Sequence, residues 1–365
     1  MKKRLIIFIP SIEEGGVEKN LFLVSNYLES RGIIIEILTC NNNKFRKFKK
    51  GVTFIGTKNS FWQNRSRIIK NLICSIILFF NLLNKRNKPL VFAFQANIYA
   101  TLIAKILKTK IITRSNSAPI GWSKNSFKKN LYQVLINLAD DVMVNSFEFK
   151  KSFQQKFNIK TTCIYNPFDK ELIKRELKKK KNIKFFKKDH LNLVSVGRLT
   201  NQKDHLTLLK SIKLLDKSFK VKLIIIGKGI NKKLLQSYIK KNKLQNKVYL
   251  LGYLDNPYHY INDSDIVILT SKYEGLPNIL LEAQYLKKYI ISSNCISGPK
   301  EILLNGKAGD LIKVGDYKKL SLLIRDYNRN KKTINKKIRE GEKKFYRFDY
   351  KLNCEKYLGF VNKNF

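Results

Sequence analysis

Residues 265–283, DIVILTSKYEGLPNILLEA, decide the fold of this chain. The apolar run Ile266–Leu269 has the length of a buried parallel strand, and a polar loop follows it as far as Pro277. Asn278 then begins a segment whose apolar spacing is typical of a helix packed on a sheet. A strand, a tight loop and a helix in this order form ligand sites at the carboxyl edge of an open α/β sheet. Because the first N–H groups of a helix and its dipole favour negative charge, this junction suits a phosphate.

Two carboxylates flank the junction: Glu274 lies in the loop, and Glu282 lies eight positions further on. Between them stand a glycine and a proline, in the order Gly275, Leu276, Pro277. This pattern resembles the donor-site signature of family four of the glycosyltransferases, which are retaining, nucleotide-sugar-dependent enzymes of the GT-B fold. From the residues alone, the alternative is an ordinary β–α turn with one exposed glutamate and one glutamate on a helix face.

The resemblance covers most of the chain and is strongest over residues 190–316. It implies an α/β protein of the GT-B class, in which two Rossmann-like domains with parallel sheets face each other across a cleft. The expected division is an N-terminal acceptor domain at 1–169, a basic connection at 170–188 and a nucleotide-sugar domain at 189–345. A tail at 346–365 would return to the first domain.

Two cations, Arg198 and Lys203, strengthen the resemblance. They lie five positions apart in a loop after a predicted strand, and Gly197 precedes the arginine. Two cations fixed at the carboxyl end of a strand can neutralise a nucleotide diphosphate as the leaving group develops charge. Family members carry Arg after Gly, and Lys at this spacing, for that role. Gly227 lies in a family-like turn at the end of the next predicted strand.

The resemblance also implies a role for each glutamate. Glu274 would contact the sugar and stabilise positive charge at its anomeric carbon, together with Arg198 and Lys203 as the catalytic set. Glu282 would accept hydrogen bonds from the ribose hydroxyls. The expected donor-binding residues are Gly15, Gly16, Arg114, Asn116, Gly197, Gly227, Gly275, Leu276, Pro277, Asn278 and Glu282. No metal or other cofactor is expected, because two cations and a helix dipole can carry the phosphate charge.

The four expected donor-binding residues in the first domain rest on weaker patterns. Gly15 and Gly16 follow the first predicted strand, and by resemblance their N–H groups face the diphosphate; the alternative is a tight turn that needs glycine for its backbone angles. Arg114 and Asn116 stand at a strand end where many relatives carry a histidine, which leaves the contact with the sugar hydroxyls open. The G-x-G-x-x-G dinucleotide fingerprint is missing, which argues against an oxidoreductase or epimerase.

Composition sets the limits of this interpretation. At 365 residues with 44% hydrophobic residues, the chain can form two folded domains with cores of their own. The formal net charge of +46 implies attraction to a polyanion, which is either nucleic acid or an anionic membrane surface. A basic nucleic-acid-binding protein is therefore the alternative function, but no helix-turn-helix, zinc-finger or RNP-like pattern supports it.

Cysteine and histidine usage indicates neither a disulfide framework nor a metal site. The five cysteines and three histidines are scattered, and no CxxC occurs, which fits a reducing cytosol. At the N-terminus, the apolar core Leu5–Ile9 ends at Pro10 and is too short for a signal peptide, so we expect a strand there.

One segment, residues 61–88, has two interpretations. Its apolar centre, Leu72–Leu83, is too short and too interrupted to span a membrane. It is either a crossover helix buried on the sheet or a helix that enters a membrane interface with basic residues on the headgroups. One helix can serve both purposes.

Together these observations predict a retaining transfer of a hexosyl or N-acetylhexosaminyl unit from a nucleotide diphosphate sugar, expected to be UDP-linked. The expected acceptor is a glycan or lipid-linked oligosaccharide of cell-surface polysaccharide synthesis. We expect the enzyme in the cytoplasm, peripheral on the inner face of the cell membrane, with no nucleic-acid partner.

Overall fold

The structure, a computed structural model, describes residues 2–12, 15–40, 47–57, 60–83, 87–116, 126–179, 183 and 185–365. The chain divides into two compact units. Unit 1 contains residues 1–167 and 348–365, and unit 2 contains residues 168–347. The described part of the predicted connection, 170–188, thus belongs to unit 2 rather than standing between the units; residues 180–182 and 184 lie outside the described residues.

Unit 1 is built on a parallel sheet. Its strands are β1 (Arg4–Phe8), β2 (Ile34–Thr39), β3 (Val52–Gly56), β4 (Leu90–Ala93), β5 (Ile111–Ser115), β6 (Asp141–Val144) and β7 (Thr162–Cys163), in the order β3-β2-β1-β4-β5-β6-β7. The helices between them are α1 (Gly16–Ser30), α2 (Arg67–Leu83), α3 (Asn97–Ile106), α4 (Ser126–Asn137) and α5 (Phe147–Phe157). The sequence analysis does not predict β3, an edge strand in which only Val52 is buried.

Unit 2 repeats this plan. Its strands are β8 (Leu191–Val196), β9 (Val221–Ile226), β10 (Val248–Gly252), β11 (Ile266–Leu269), β12 (Tyr289–Ser293) and β13 (Asp310–Ile312), in the order β10-β9-β8-β11-β12-β13. Its helices are α6 (Lys170–Lys178), α7 (His205–Lys213), α8 (Lys232–Lys241), α9 (Tyr258–Asn262), α10 (Asn278–Tyr285), α11 (Pro299–Ile302), α12 (Tyr317–Arg325) and α13 (Lys331–Lys343). The α/β class with two parallel sheets, predicted from the sequence, is confirmed.

The continuous apolar strands follow from burial on both faces of each sheet. In β1, Leu5 and Ile7 join one core cluster, and Ile6 and Phe8 join another on the opposite face. A strand covered by helices on both sides has no solvent face and therefore reads as an unbroken apolar run. The strand predicted at the start of the chain is thus β1, an interior strand of the unit 1 sheet that pairs with β2 and β4.

The last helix, α14 (Tyr350–Asn364), returns to unit 1. Tyr357, Phe360 and Val361 are buried in the same cluster as Leu5 and Ile7. At the surface of this contact, Arg31 of α1 forms an ion pair of 2.6 Å with Glu355. The C-terminal residues are therefore part of the core of unit 1.

Among the described residues, no helix combines the length and the apolar character that crossing a bilayer requires.

Gly227, after β9, stands where unit 2 tolerates no side chain. Its φ is +153°, and a Cβ there would lie 1.9 Å from the carbonyl oxygen of Gly197, at the end of β8. Gly252, which accepts the N–H of Gly227 at 2.7 Å, also has positive φ (+76°), but a Cβ there would meet nothing within 4 Å.

We expect Gly227→Ala to destabilise the protein much more than Gly252→Ala. The second substitution adds only backbone strain, about 1–2 kcal/mol, whereas the first also forces two backbones apart. Urea unfolding followed by circular dichroism measures the two midpoints. Equal midpoints would show that the close approach of the two loops is not required.

Candidate active site

Two loops at the carboxyl edge of the unit 2 sheet lie side by side because β8 and β11 are paired neighbours. The first runs from Gly197 to Asp204, and the second from Thr270 to Pro277. The hydroxyl of Thr270 donates to the carbonyl oxygens of Lys203 and Asp204, both at 3.0 Å. These bonds fix the two loops relative to each other.

A further side chain completes this connection. The amide of Gln202 donates to the carbonyl oxygen of Tyr273 at 2.9 Å, and the N–H of Lys272 donates to the carbonyl oxygen of Gln202 at 2.8 Å. Sequence reasoning missed Gln202 and Thr270. Both side chains hydrogen-bond to the backbone of the other loop. A glutamine or a threonine in a sequence does not by itself indicate such a contact.

The two loops bring Lys203 and Glu274 together. Lys203 Nζ lies 2.5 Å from Glu274 Oε1, and the two side chains are only 15% and 8% exposed. A Cβ on Gly197 would lie 3.3 Å from Lys203 Cε, so the glycine leaves room for the lysine stem. Two residues that the sequence assigns to different parts of a donor therefore form one shielded ion pair.

A third loop, after β12, fixes the backbone of Glu274. The Ser297 hydroxyl donates to the Glu274 carbonyl oxygen at 2.8 Å. Gly298 has φ +85°, and a Cβ on it would lie 1.7 Å from the carbonyl oxygen of Gly275. Only glycine permits this approach, so the turn that holds Glu274 depends on residue 298.

Cys295, in the same loop, is buried beside this pair. Burial, followed by the negative charge of Glu274, raises the pKa of the Cys295 thiol to about 12. The thiol is therefore protonated at neutral pH and does not act as a thiolate nucleophile.

The remaining unit 2 candidates surround these loops. Arg198 is exposed, directly after β8. Leu276 is buried, Pro277 is the N-cap of α10 and Asn278 is its first residue. Glu282, further along α10, is only 5% exposed. The structure thus places Gly197, Arg198, Lys203, Gly227, Glu274 to Asn278 and Glu282 in unit 2, with the cations, Glu274 and the start of α10 at the carboxyl edge of one sheet.

The unit 1 candidates occupy two separate places. Gly15 is the N-cap of α1, and Gly16 is its first residue. A Cβ on Gly15 would lie 2.8 Å from a carboxylate oxygen of Glu18, a buried residue of the first turn that the sequence analysis did not single out. The contact of Gly15 and Gly16 with a diphosphate stays a prediction.

Arg114 holds a buried network instead of facing solvent. It is 1% exposed, and its guanidinium donates to Tyr357 at 2.9 Å, to Asn166 at 2.8 Å and to Asn116. The Asn116 amide donates to the carbonyl oxygen of Phe94 at 2.6 Å. This network ties β5 to α14, so the structure gives Arg114 a supporting role, and its contact with the sugar hydroxyls stays a prediction.

No group of three His, Cys, Asp or Glu side chains within the described ranges could hold a metal ion.

The profile described as "Glycosyl transferases group 1" matches residues 176–344, which include the whole arrangement of cations and glutamates in unit 2. Residues 176–344, most of unit 2, thus carry the sequence pattern of this family of glycosyltransferases. The resemblance drawn from the two glutamates and the two cations is thereby confirmed, and so is the prediction of an enzyme that transfers sugars.

Relatives of this glycosyltransferase occur in archaea and bacteria. It is 34% identical over 267 residues to an uncharacterized glycosyltransferase of Methanocaldococcus jannaschii, covering 66% of this chain and 65% of the relative. It is 27% identical to the N-acetylgalactosamine-N,N'-diacetylbacillosaminyl-diphospho-undecaprenol 4-alpha-N-acetylgalactosaminyltransferase of Campylobacter jejuni, covering 98% and 99% of the two chains.

Solved structures share the fold of this glycosyltransferase. HepE of Anabaena, crystallised with UDP, superposes with a TM-score of 0.75 at 18% identity, over 99% of this chain and 100% of HepE. Sucrose-phosphate synthase of Thermosynechococcus elongatus superposes with a TM-score of 0.82 at 12% identity, over 99% and 98% of the two chains. The predicted GT-B fold is confirmed.

We expect the Lys203–Glu274 pair to stabilise the enzyme measurably. Removing one partner leaves a shielded charge without its counterion, so a double-mutant cycle with Lys203→Met and Glu274→Gln should give a coupling free energy of about 1–3 kcal/mol. Urea unfolding of the four proteins measures it. The exposed pair Lys174–Glu171 is the control, for which no measurable coupling is expected. Equal coupling free energies for the two pairs would show that the Lys203–Glu274 pair is not shielded from solvent.

His205, next to the pair, predicts a pH dependence of stability. Burial, followed by the positive charge of Lys203, lowers the pKa of His205 to about 4, and its Nδ1 has no hydrogen-bond partner among the described residues. The unfolded chain takes up this proton near pH 6.5 and the folded chain only near pH 4, so stability falls as the pH drops through this window.

The His205→Gln variant should therefore lose about 3 kcal/mol less stability than the wild type between pH 6.5 and pH 4. Free energies of unfolding across this range measure the difference, and the carboxylates that titrate there are common to both proteins. Parallel curves would contradict a buried neutral histidine.

Proposed function

We propose that this glycosyltransferase transfers a hexosyl or N-acetylhexosaminyl unit, with retention of configuration, from a UDP-linked sugar to a glycan or lipid-linked acceptor of cell-surface polysaccharide synthesis. The observation that carries the proposal is the shielded Lys203–Glu274 pair at the carboxyl edge of the unit 2 sheet, where Arg198 lies in the same loop as Lys203. That edge is where open α/β sheets bind ligands.

In this proposal, Arg198 and Lys203 bind the diphosphate of the donor. As the bond between the anomeric carbon and the diphosphate oxygen breaks, the leaving group gains negative charge, which the two cations stabilise. The first N–H groups of α10, near Leu276 and Pro277, add the positive end of a helix dipole. This chain needs no metal for that task.

The two glutamates contact the rest of the donor. Glu274 faces the sugar, where its negative charge stabilises the positive charge that develops at the anomeric carbon. The acceptor hydroxyl attacks that carbon on the face from which the diphosphate leaves, and its proton passes to the departing phosphate oxygen. The configuration is thereby retained without a protein nucleophile. Glu282 accepts hydrogen bonds from the ribose hydroxyls.

The names of relatives support the choice of substrates. The Campylobacter jejuni relative is named for transfer of N-acetylgalactosamine in α linkage to an acceptor on diphospho-undecaprenol. Another relative, from Staphylococcus aureus, is named for capsular polysaccharide biosynthesis. HepE was crystallised with UDP-glucose. A lipid-linked acceptor would place the enzyme on the inner face of the cell membrane, where its net charge of +46 is attracted to anionic lipids.

The test is turnover with a panel of nucleotide sugars, in the presence of membrane extract as acceptor. We expect one UDP-sugar to be consumed, and Glu274→Gln and Arg198→Ala each to lower kcat/KM by about 100-fold or more. Glu171→Gln and Arg175→Ala, on the exposed helix α6 of the same unit, are the matched controls and should keep wild-type turnover.

The same assay with EDTA tests the absence of a metal requirement, and we expect unchanged rates. If no nucleotide sugar is consumed, or if the controls lose as much activity as the site variants, the proposed donor site is wrong.

A further inference from the structure

Helix α2 is apolar on its exposed face as well as on part of its buried face. Its buried face, against the unit 1 sheet, includes Lys70, Asn71 and Ser75 together with Cys74, Leu78 and Leu82. A helix on the surface of a globular domain normally buries its apolar stripe and exposes its polar one.

The polar side chains of the buried face are hydrogen-bonded there. Lys70 Nζ donates to the Ser11 hydroxyl at 3.4 Å, and the Ser75 hydroxyl donates to the Asn71 carbonyl oxygen at 2.8 Å. The second bond lies within α2, whereas the first joins the buried face of the helix to the segment after β1.

The outer face of α2 is a row of large apolar side chains. Its members recur at intervals of three or four residues, each is 50–64% exposed, and we call them the α2 ridge: Ile68, Leu72, Ile76, Phe80 and Leu83. Exposed large hydrophobic residues are normal when single, but a continuous row on one helix marks an interaction surface.

The neighbouring helices continue this apolar surface. Helix α3 packs on α2 and exposes Leu102 and Ile106, and α4 packs on α3 and exposes Leu131 and Val134, with Leu138 exposed directly after it. Three adjacent helices on one side of the unit 1 sheet therefore present aliphatic and aromatic side chains to solvent.

This part of the chain is also one-sided in charge. Between Glu36 and Asp140 the sequence contains nineteen Lys and Arg residues and no Asp or Glu. Exposed cations stand at the ends of the helices that carry the apolar rows: Arg65 before α2 and Arg67 as its first residue, Lys88 after it, and Lys108 and Lys110 after α3. The Arg65 guanidinium lies 3.8 Å from the centre of the Phe61 ring, which is itself half exposed.

We propose that the α2 ridge, with the exposed apolar residues of α3 and α4, lies in the headgroup region of an anionic phospholipid bilayer. An aliphatic row bordered by cations and free of carboxylates matches a surface with acyl chains beneath negatively charged headgroups. The long basic side chains can reach the phosphates while the ridge enters the apolar layer.

Charge argues against the two other occupants. A second copy of this chain would bring the same cations against each other, with no carboxylate of residues 37–139 to pair with them. A nucleic acid would meet Ile, Leu and Phe where its phosphates require donors and cations.

This inference rests on the proposed function only for its purpose, the approach to a lipid-linked acceptor. The binding itself needs neither donor nor acceptor, and it is tested by flotation of the full-length protein with vesicles of phosphatidylglycerol and phosphatidylcholine, or of phosphatidylcholine alone. We expect binding to the anionic vesicles, weakened several-fold by high salt, and little binding to the neutral ones.

The decisive comparison uses two matched double variants. Leu72→Gln with Leu83→Gln removes one mid-helix and one helix-end leucine from the α2 ridge, at 50% and 51% exposure. Leu322→Gln with Leu214→Gln does the same in unit 2, at 42% and 52% exposure. The first should lower the vesicle partition coefficient roughly tenfold or more, and the second should leave it unchanged.

Three outcomes would overturn the proposal: no binding of the wild type to anionic vesicles, equal loss in both variants, or a dimer in analytical ultracentrifugation that only the α2 variant dissociates. Donor hydrolysis without vesicles is measured in the same preparations and should be equal in all three proteins. No consumption of any nucleotide sugar by the wild type, even with membrane extract as acceptor, would refute the proposed transferase chemistry and leave the vesicle result standing.

Discussion

The ion pair between Lys203 and Glu274 is the constraint on which unit 2 depends. Its partners are 71 positions apart and meet because β8 and β11 are neighbours in a parallel sheet, whose carboxyl ends place both loops on one edge. Gly197 makes room for the lysine, and Gly298 lets the third loop come close enough to fix the glutamate. The geometry of the site is thus set by the order of the strands and by the absence of a side chain at these two glycines.

The pairing also explains how Lys203 and Glu274 can both be shielded from solvent at a place where a donor would contact each of them. An isolated buried carboxylate tends to be neutralised by protonation, whereas a partner cation favours its charged form. In the proposed reaction, the departing diphosphate would bring negative charge to Lys203, and the anomeric carbon would develop positive charge beside Glu274. Within the pair itself, each charge is neutralised by the other.

Unit 1 uses a buried polar network for a different purpose. Arg114 joins β5 to Tyr357 of the last helix and to Asn166 near the end of the unit's main segment. An unpaired buried guanidinium costs free energy of folding. The positions of α14 and of Asn166 therefore depend on this network as well as on apolar packing.

The local elements that carry the site could be predicted from the sequence, because a strand and the helix after it are each encoded by a short stretch of chain. The strand predicted at Ile266–Leu269 and the helix predicted from Asn278 agree with β11 and α10. Arg114 was different: its main partner, Tyr357, is 243 positions away, and a strand-end arginine gives no sign of being buried. The sequence also did not predict which face of α2 packs on the sheet, because the segment is apolar on nearly all of its faces. The edge strand β3 was not predicted because it buries only Val52 and so shows no alternation of apolar and polar positions.

The most direct test of the central claim is a crystal structure of the protein with UDP. The account predicts diphosphate oxygens within about 3 Å of both Arg198 and Lys203 Nζ, with the lysine drawn away from Glu274. A nucleotide bound elsewhere, with the Lys203–Glu274 contact of 2.5 Å unchanged, would contradict it.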